Sequence, residues 1–153
     1  MAKLKIRKVG DEVLRRVCRP VEEITPRIHT LLDDMVETMR HADGCGLAAP
    51  QIGVLRRIAV VEVEEGEVIE LINPQIIATE GEQEETEGCL SLPGRFGVTR
   101  RPMRVTVRAT DRNGKEFEVS GEGLLARALC HEIDHLDGHI FTDRAIRMLN
   151  EED

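Results

Sequence analysis

Apolar residues fall into two rhythms along the chain. After Thr25-Pro26, an N-cap residue with proline at the first helical position, Ile28, Leu31, Leu32, Met35, Val36 and Met39 recur at helical spacing until Asp43-Gly44. That pattern predicts a long helix near the N-terminus. A second helix is predicted from about Glu122 to Asp137, ended by Gly138, and Asp143 to Leu149 is expected to add a short C-terminal helix. Between them the rhythm changes to that of strands. Ile58 to Val63 is a β-branched apolar run, and Val68 to Ile72 reads as a strand closed by Asn73-Pro74. Val105, Val107 and Ala109 alternate with Thr106, Arg108 and Thr110, the pattern of a half-buried strand. Asn113-Gly114 signals a type I′ turn, and Phe117 and Val119 start the returning strand. Five glutamates between Glu80 and Glu87 read as a solvated hairpin guarding a sheet edge. The expected fold class is α+β, with mixed or antiparallel strands around a central second helix.

Composition narrows this picture. The 153 residues suit one domain, 1–153, and 41% hydrophobic with 33% charged residues is a globular balance. There are three Phe and no Tyr or Trp, which leaves almost nothing for an aromatic stacking platform on single-stranded nucleic acid. A formal charge of −8 argues against general nucleic-acid binding. It leaves room for a basic stretch at Arg95, Arg100, Arg101, Arg104 and Arg108. No secretory signal or membrane span is recognisable, so a cytoplasmic location is expected, with Cys18, Cys45, Cys89 and Cys130 as reduced thiols.

The second helix carries the chemistry. His131-Glu132-Ile133-Asp134-His135 is an H-E-x-x-H motif, whose spacing puts both imidazoles on one helical face where they can share a metal ion. On a helical wheel Leu124 and Ala128 fall on the histidine side, and Leu125, Leu129, Ile133 and Leu136 continue the apolar arc. Arg127, Cys130, Asp134 and Asp137 take the opposite sector. Glu132 then lies within the core-facing arc, where a carboxylate needs a partner. A water activated by a metal would provide one, making Glu132 a candidate proton carrier.

Two imidazoles need a third ligand. A third histidine in the manner of some zinc proteases would fall at position 141, which is Phe141, and His139 is out of register. The ligand is therefore sought upstream, among Cys18, Cys45, Cys89, His29 and His41. Cys89 stands out within Glu87-Gly88-Cys89-Leu90-Ser91, where glycine permits an unusual turn and the Leu90 N–H would lie beside the metal. Cys45 is also in a glycine-rich setting, Gly44-Cys45-Gly46-Leu47-Ala48-Ala49-Pro50-Gln51, and Gln51 is an amide that could reach a reacting carbonyl.

These three segments, at 44–51, 87–91 and 131–135, occur in the same order as the motifs of the peptide deformylase family, which the chain resembles over nearly its whole length. The resemblance implies that Cys89, His131 and His135 bind one divalent metal, Fe²⁺ in the cell with Zn²⁺, Ni²⁺ or Co²⁺ as substitutes. It implies that Glu132 is the general acid/base, that Gln51 and the Leu90 N–H polarise the carbonyl, and that Gly46 contacts the substrate backbone. The implied reaction is hydrolysis of the formyl group of N-formylmethionyl nascent peptides, without a membrane partner and with transient ribosome contact. Leu124 and Ala128 are nominated for the methionine slot. Arg127 borders it, where the family often has an apolar residue. Glu87 is expected to pair with Arg100 or Arg101 as a brace. Cys130 stands where the family commonly has Gln, and the acidic tail Asn150 to Asp153 stands where some relatives carry a longer ribosome-docking helix.

Overall fold

A computed structural model describes residues 3–149, arranged as two α-helices and eight strands among those residues. The helices are α1, Pro26–His41, and α2, Leu124–Leu136; the strands are β1, Gly46–Ala48; β2, Ile58–Val61; β3, Ile69–Glu80; β4, Gln83–Cys89; β5, Leu92–Arg101; β6, Arg104–Thr110; β7, Glu116–Glu122; and β8, Ala145–Met148. Strands β1-β2-β3-β6-β7 form one antiparallel sheet and β4-β5-β8 a second.

The unbroken apolar run of β2 has a direct cause: both faces of the larger sheet are covered. Leu47, Ile58, Val60 and Ile72 pack with Leu32, Met35 and Met39 of α1. The alternate positions Ala48, Ala59, Val61 and Leu71 pack with Ala128, Leu129, Ile133 and Leu136 of α2. Side chains one residue apart thus feed two separate cores through the period of the strand. Small residues on the second face let α2 lie close to the sheet.

Helix α1 starts at Pro26, with Thr25 before it, after an extended segment and a 3-10 turn at Glu12–Arg15. Four expectations change. The chain at 143–149 forms the edge strand β8 rather than a helix, because Ala145 and Met148 pair with Thr99 and Gly97 of β5. Asn73-Pro74 does not close a strand. It sits at a bulge within β3, where Asn73 adopts φ 53° and its amide bonds both backbone groups of Val21, at 2.7 and 2.8 Å. The glutamate-rich segment is not a hairpin, since β3 pairs with β6 while β4 pairs with β5, and the turn at Gly81 carries the chain between sheets.

The β6–β7 hairpin is present, but its turn is not type I′. Gly114 alone has positive φ, and its N–H bonds the Asp111 carbonyl at 3.0 Å. Asp111 Oδ1 also accepts from the Asn113 and Lys115 N–H groups, so an aspartate side chain organises the turn.

Candidate metal centre

Two elements that meet edge to face build the site. Helix α2 presents His131 and His135, and the end of β4 presents Cys89; their ligand atoms lie within 4.8 Å of one another. The Cys89 Sγ to His135 Nε2 distance is 3.3 Å. Among the described residues the other upstream candidates are elsewhere. Cys18 is buried with its N–H on the Leu136 carbonyl, and His29 bonds the Arg112 carbonyl. His41 belongs to a separate cavity beyond α1, and Cys45 lines the cleft without joining the cluster.

Position 87 fixes the orientation of His131. Its Nδ1 donates to Glu87 Oε1 at 2.6 Å, which leaves Nε2 free to act as a ligand. Glu87 is itself held by Arg101, whose guanidinium also reaches Asp134, both at 2.6 Å. Burial alone would raise the Glu87 carboxyl, but hydrogen bonds from His131 and Arg101 outweigh it and hold it at about 2. The far face of the His131 ring stacks on Phe141, centroids 6.3 Å apart. The residue standing where a protease-like third histidine would fall is therefore an apolar backstop.

Electrostatically the centre is built for a cation. Burial opposes a charged ring at His131, yet Glu132, Cys89 and Glu87 overcome it and hold its pKa well above the ordinary value. At His135 burial prevails, reinforced by the neighbouring His131, and pushes the ring well below it. One cysteine sulfur and two imidazoles within reach of one another form a donor set suited to a divalent transition metal. Two buried atoms without hydrogen-bond partners are found here, His135 Nδ1 in the cluster and Glu132 Oε1 on the residue next to His131. The residues present therefore fit a metal ion.

Glu132 is buried, and burial pushes its carboxyl up to about 7. Gly46 makes room for it: a Cβ at position 46 would stand 2.8 Å from the Glu132 Cδ atom. Gly44 does the same for Leu90, whose Cδ1 would be 2.6 Å from an added Cβ. The glycines of the first segment thus accommodate side chains of the other two.

Gln51 is also buried. Its Oε1 accepts the Ala48 N–H at 2.9 Å, which turns Nε2 toward Ser91 Oγ at 3.1 Å and Cys89 Sγ at 3.5 Å. Leu90 and Ser91 form the two-residue link between β4 and β5. Beyond it β5 bows outward: between the Glu87–Gly97 and Cys89–Leu92 pairs, β4 advances two residues and β5 five. The bowed segment Pro93–Phe96 becomes a wall of a cleft of about 540 Å³ that ends on His131 and Glu132.

Of the two residues nominated for a methionine slot, Ala128 is buried in this cleft and Leu124 stands half-exposed at its mouth. The wheel put Arg127 on the opposite sector; the structure puts it in the cleft, because it precedes His131 by one helical turn. Cys130 is a packed thiol, raised to about 11 by burial.

Sequence reasoning missed the work of Ser91, Phe141 and Asp134, and gave Glu87 only a bracing role within a solvated segment. One signal for Glu87 was available: it lies two residues before Cys89, on the same face of a strand.

The chain matches the sequence model of the polypeptide deformylase family over residues 3–151. It is 60% identical over 148 residues to the peptide deformylase of Thermoanaerobacter pseudethanolicus, covering 97% of this chain and 92% of that protein. The crystal structure of a peptide deformylase from Legionella pneumophila superposes with a TM-score of 0.90 at 48% identity, over 93% of this chain and 85% of that one. A peptide deformylase from Ehrlichia chaffeensis, in complex with actinonin, gives a TM-score of 0.92 at 41% identity, over 94% and 89% of the two chains.

Proposed function

The chain belongs to the polypeptide deformylase family, metal-dependent hydrolases that remove the N-formyl group from nascent polypeptides, and on that premise we propose how its residues divide the work. Cys89, His131 and His135 hold the metal, which when bound would acidify a water and draw charge from the formyl oxygen. Glu132 takes a proton from the attacking water and returns one to the departing amine. A carboxyl poised at about 7 can do both near neutral pH. Gln51 Nε2 and the Leu90 N–H face the developing negative charge on the formyl oxygen. Gly46 keeps its backbone open to the substrate and leaves space for Glu132. Leu124 and Ala128 flank the methionine side chain.

A single observation carries this reading: a buried carboxylate with an unpartnered oxygen stands beside the Cys89, His131 and His135 cluster at the end of an open cleft. The donor set suits iron and zinc alike, and the family resemblance supports Fe²⁺ in the cell. A substrate that begins as a nascent chain supports a cytoplasmic location for residues 1–153 as one catalytic domain, working transiently beside the ribosome. Among the described residues no helix is long and apolar enough to cross a membrane. The tail Asn150 to Asp153 lies outside the described residues.

Anaerobic purification with Fe²⁺, then deformylation of formyl-Met-Ala-Ser, tests the assignment. Glu132→Gln should retain metal and lose turnover. Gln51→Ala should lose about 10²–10³ in rate at near-normal metal content. Equal loss of metal in either variant would defeat the assigned role.

A further inference from the structure

Arg127 is the one member of the α2 face toward the cleft that neither a metal role nor apolar packing explains. It is half-buried one turn before His131, and its Nε is buried with no hydrogen-bond partner. Arg100, Arg101, Arg104, Arg108 and Arg112 all engage carboxylates. Arg127 takes part in no ion pair among the described residues. Two further cations line the same cleft, Lys8 and Arg95, and Lys8 reaches only the Leu90 carbonyl, at 3.4 Å. Of the carboxylates there, Glu87 is engaged by His131 and Arg101, and Glu132 stands against Gly46 beside the metal cluster, which leaves Asp43 at the rim. An incoming chain therefore meets three cations without an ion pair, against Asp43 at the rim and the Glu132 carboxyl at the inner end of the cleft.

We propose that Arg127 is a specificity-determining residue that favours formylated peptides with an acidic side chain directly after the methionine. The inference rests on the reading of this cleft as the site of the formylmethionyl chain. Its aliphatic stem can border the methionine slot beside Ala128 while the guanidinium is presented to the next residue. A substrate carboxylate meets the terminal guanidinium nitrogens, which no carboxylate among the described residues engages, and approaches a positively charged wall in a partly desolvated cleft. Lysine at that substrate position meets repulsion from the same three groups.

The test is kcat/KM of the metal-loaded enzyme on formyl-Met-Ala-Ser, formyl-Met-Glu-Ser and formyl-Met-Lys-Ser. The wild type should prefer Glu over Lys by about tenfold, the size expected of a partly buried charge contact. Raising the salt should shrink that ratio. Arg127→Gln should bring it close to one, and Arg127→Lys should preserve part of it. Metal content of each variant, measured alongside, separates loss of selectivity from loss of the centre. Turnover of all three peptides with equal kcat/KM, or a ratio unchanged in Arg127→Gln, overturns the charge preference alone. Absence of turnover on every formyl peptide overturns the reading of the cleft as well.

Discussion

Arginine–carboxylate pairs occur in two settings in this molecule. On the β6–β7 hairpin, Arg104 meets Glu122 at 2.8 Å and Arg108 meets Glu116 and Glu118 at 3.3 and 3.4 Å, all with side chains 43–70% exposed. Beneath the candidate metal centre, Arg101 meets Glu87 and Asp134 at 2.6 Å with its own side chain 4% exposed. The residue types are the same. The surroundings are not, and they decide what each contact does. In solvent the attraction is screened and two long side chains must be immobilised to keep it. In the interior the same groups have left water and depend on protein partners, one another and neighbours such as Thr99 and His131, for their hydrogen bonds. The buried set is also connected onward, from Arg101 through Glu87 to His131, so its geometry reaches the candidate ligands.

The largest consequence should follow from cutting the buried set at its hub. Arg101→Met leaves Glu87 buried without its arginine and Asp134 with Arg144 alone, and breaking such a network typically costs about 3–5 kcal/mol. Urea denaturation should show a loss of that size, and metal content should fall because Glu87 no longer holds one position under His131. If Arg101→Met costs no more than a hairpin arginine, burial does not distinguish the two regions.

A narrower cut separates stability from ligand positioning. Glu87→Ala removes the acceptor that orients His131, and loss of such an outer partner typically weakens metal affinity or activity by about 10–100-fold. Titration with a chelator should detect this. Glu87→Gln retains an acceptor for the His131 N–H and should fall between Ala and wild type. Equal affinities for all three proteins would reduce Glu87 to a packing residue.

These contrasts also show what could be read before folding. The helices, the covered strand β2 and the three chemical motifs declare themselves by local spacing, which physical periodicity makes visible. His131 and His135 are adjacent on a helix by geometry alone, and Glu132 between them inherits its environment. What stayed hidden depends on contacts between distant segments. Residues 145–148 become a strand because β5 offers an edge, and nothing within four residues announces that partner. Asn73-Pro74 looks like punctuation until Val21 occupies the Asn73 amide. The arginine-rich stretch from Arg95 to Arg108 suggests a basic patch, yet Arg100, Arg101, Arg104 and Arg108 are all neutralised by carboxylates from other strands or from α2. Gly46 suggested contact with substrate, whereas its crowding against Glu132 required the two segments to be brought together.

The smallest expected effect completes the comparison. Arg104 and Glu122 are directly paired across β6 and β7, with a charge-assisted hydrogen bond of normal length. Judged by distance alone, the pair should rival those of Arg101. Judged by exposure, a double-mutant cycle with Arg104→Gln and Glu122→Gln should give a coupling of about 0.2–1 kcal/mol at low ionic strength. Adding salt should reduce it further, since the screening length at 1 M is only about 3 Å. The coupling between Arg101 and Glu87, measured in the same way, should be several times larger and nearly insensitive to salt. A hairpin coupling that matched it, or that survived high salt, would show that cross-strand register rather than burial sets the strength of these pairs.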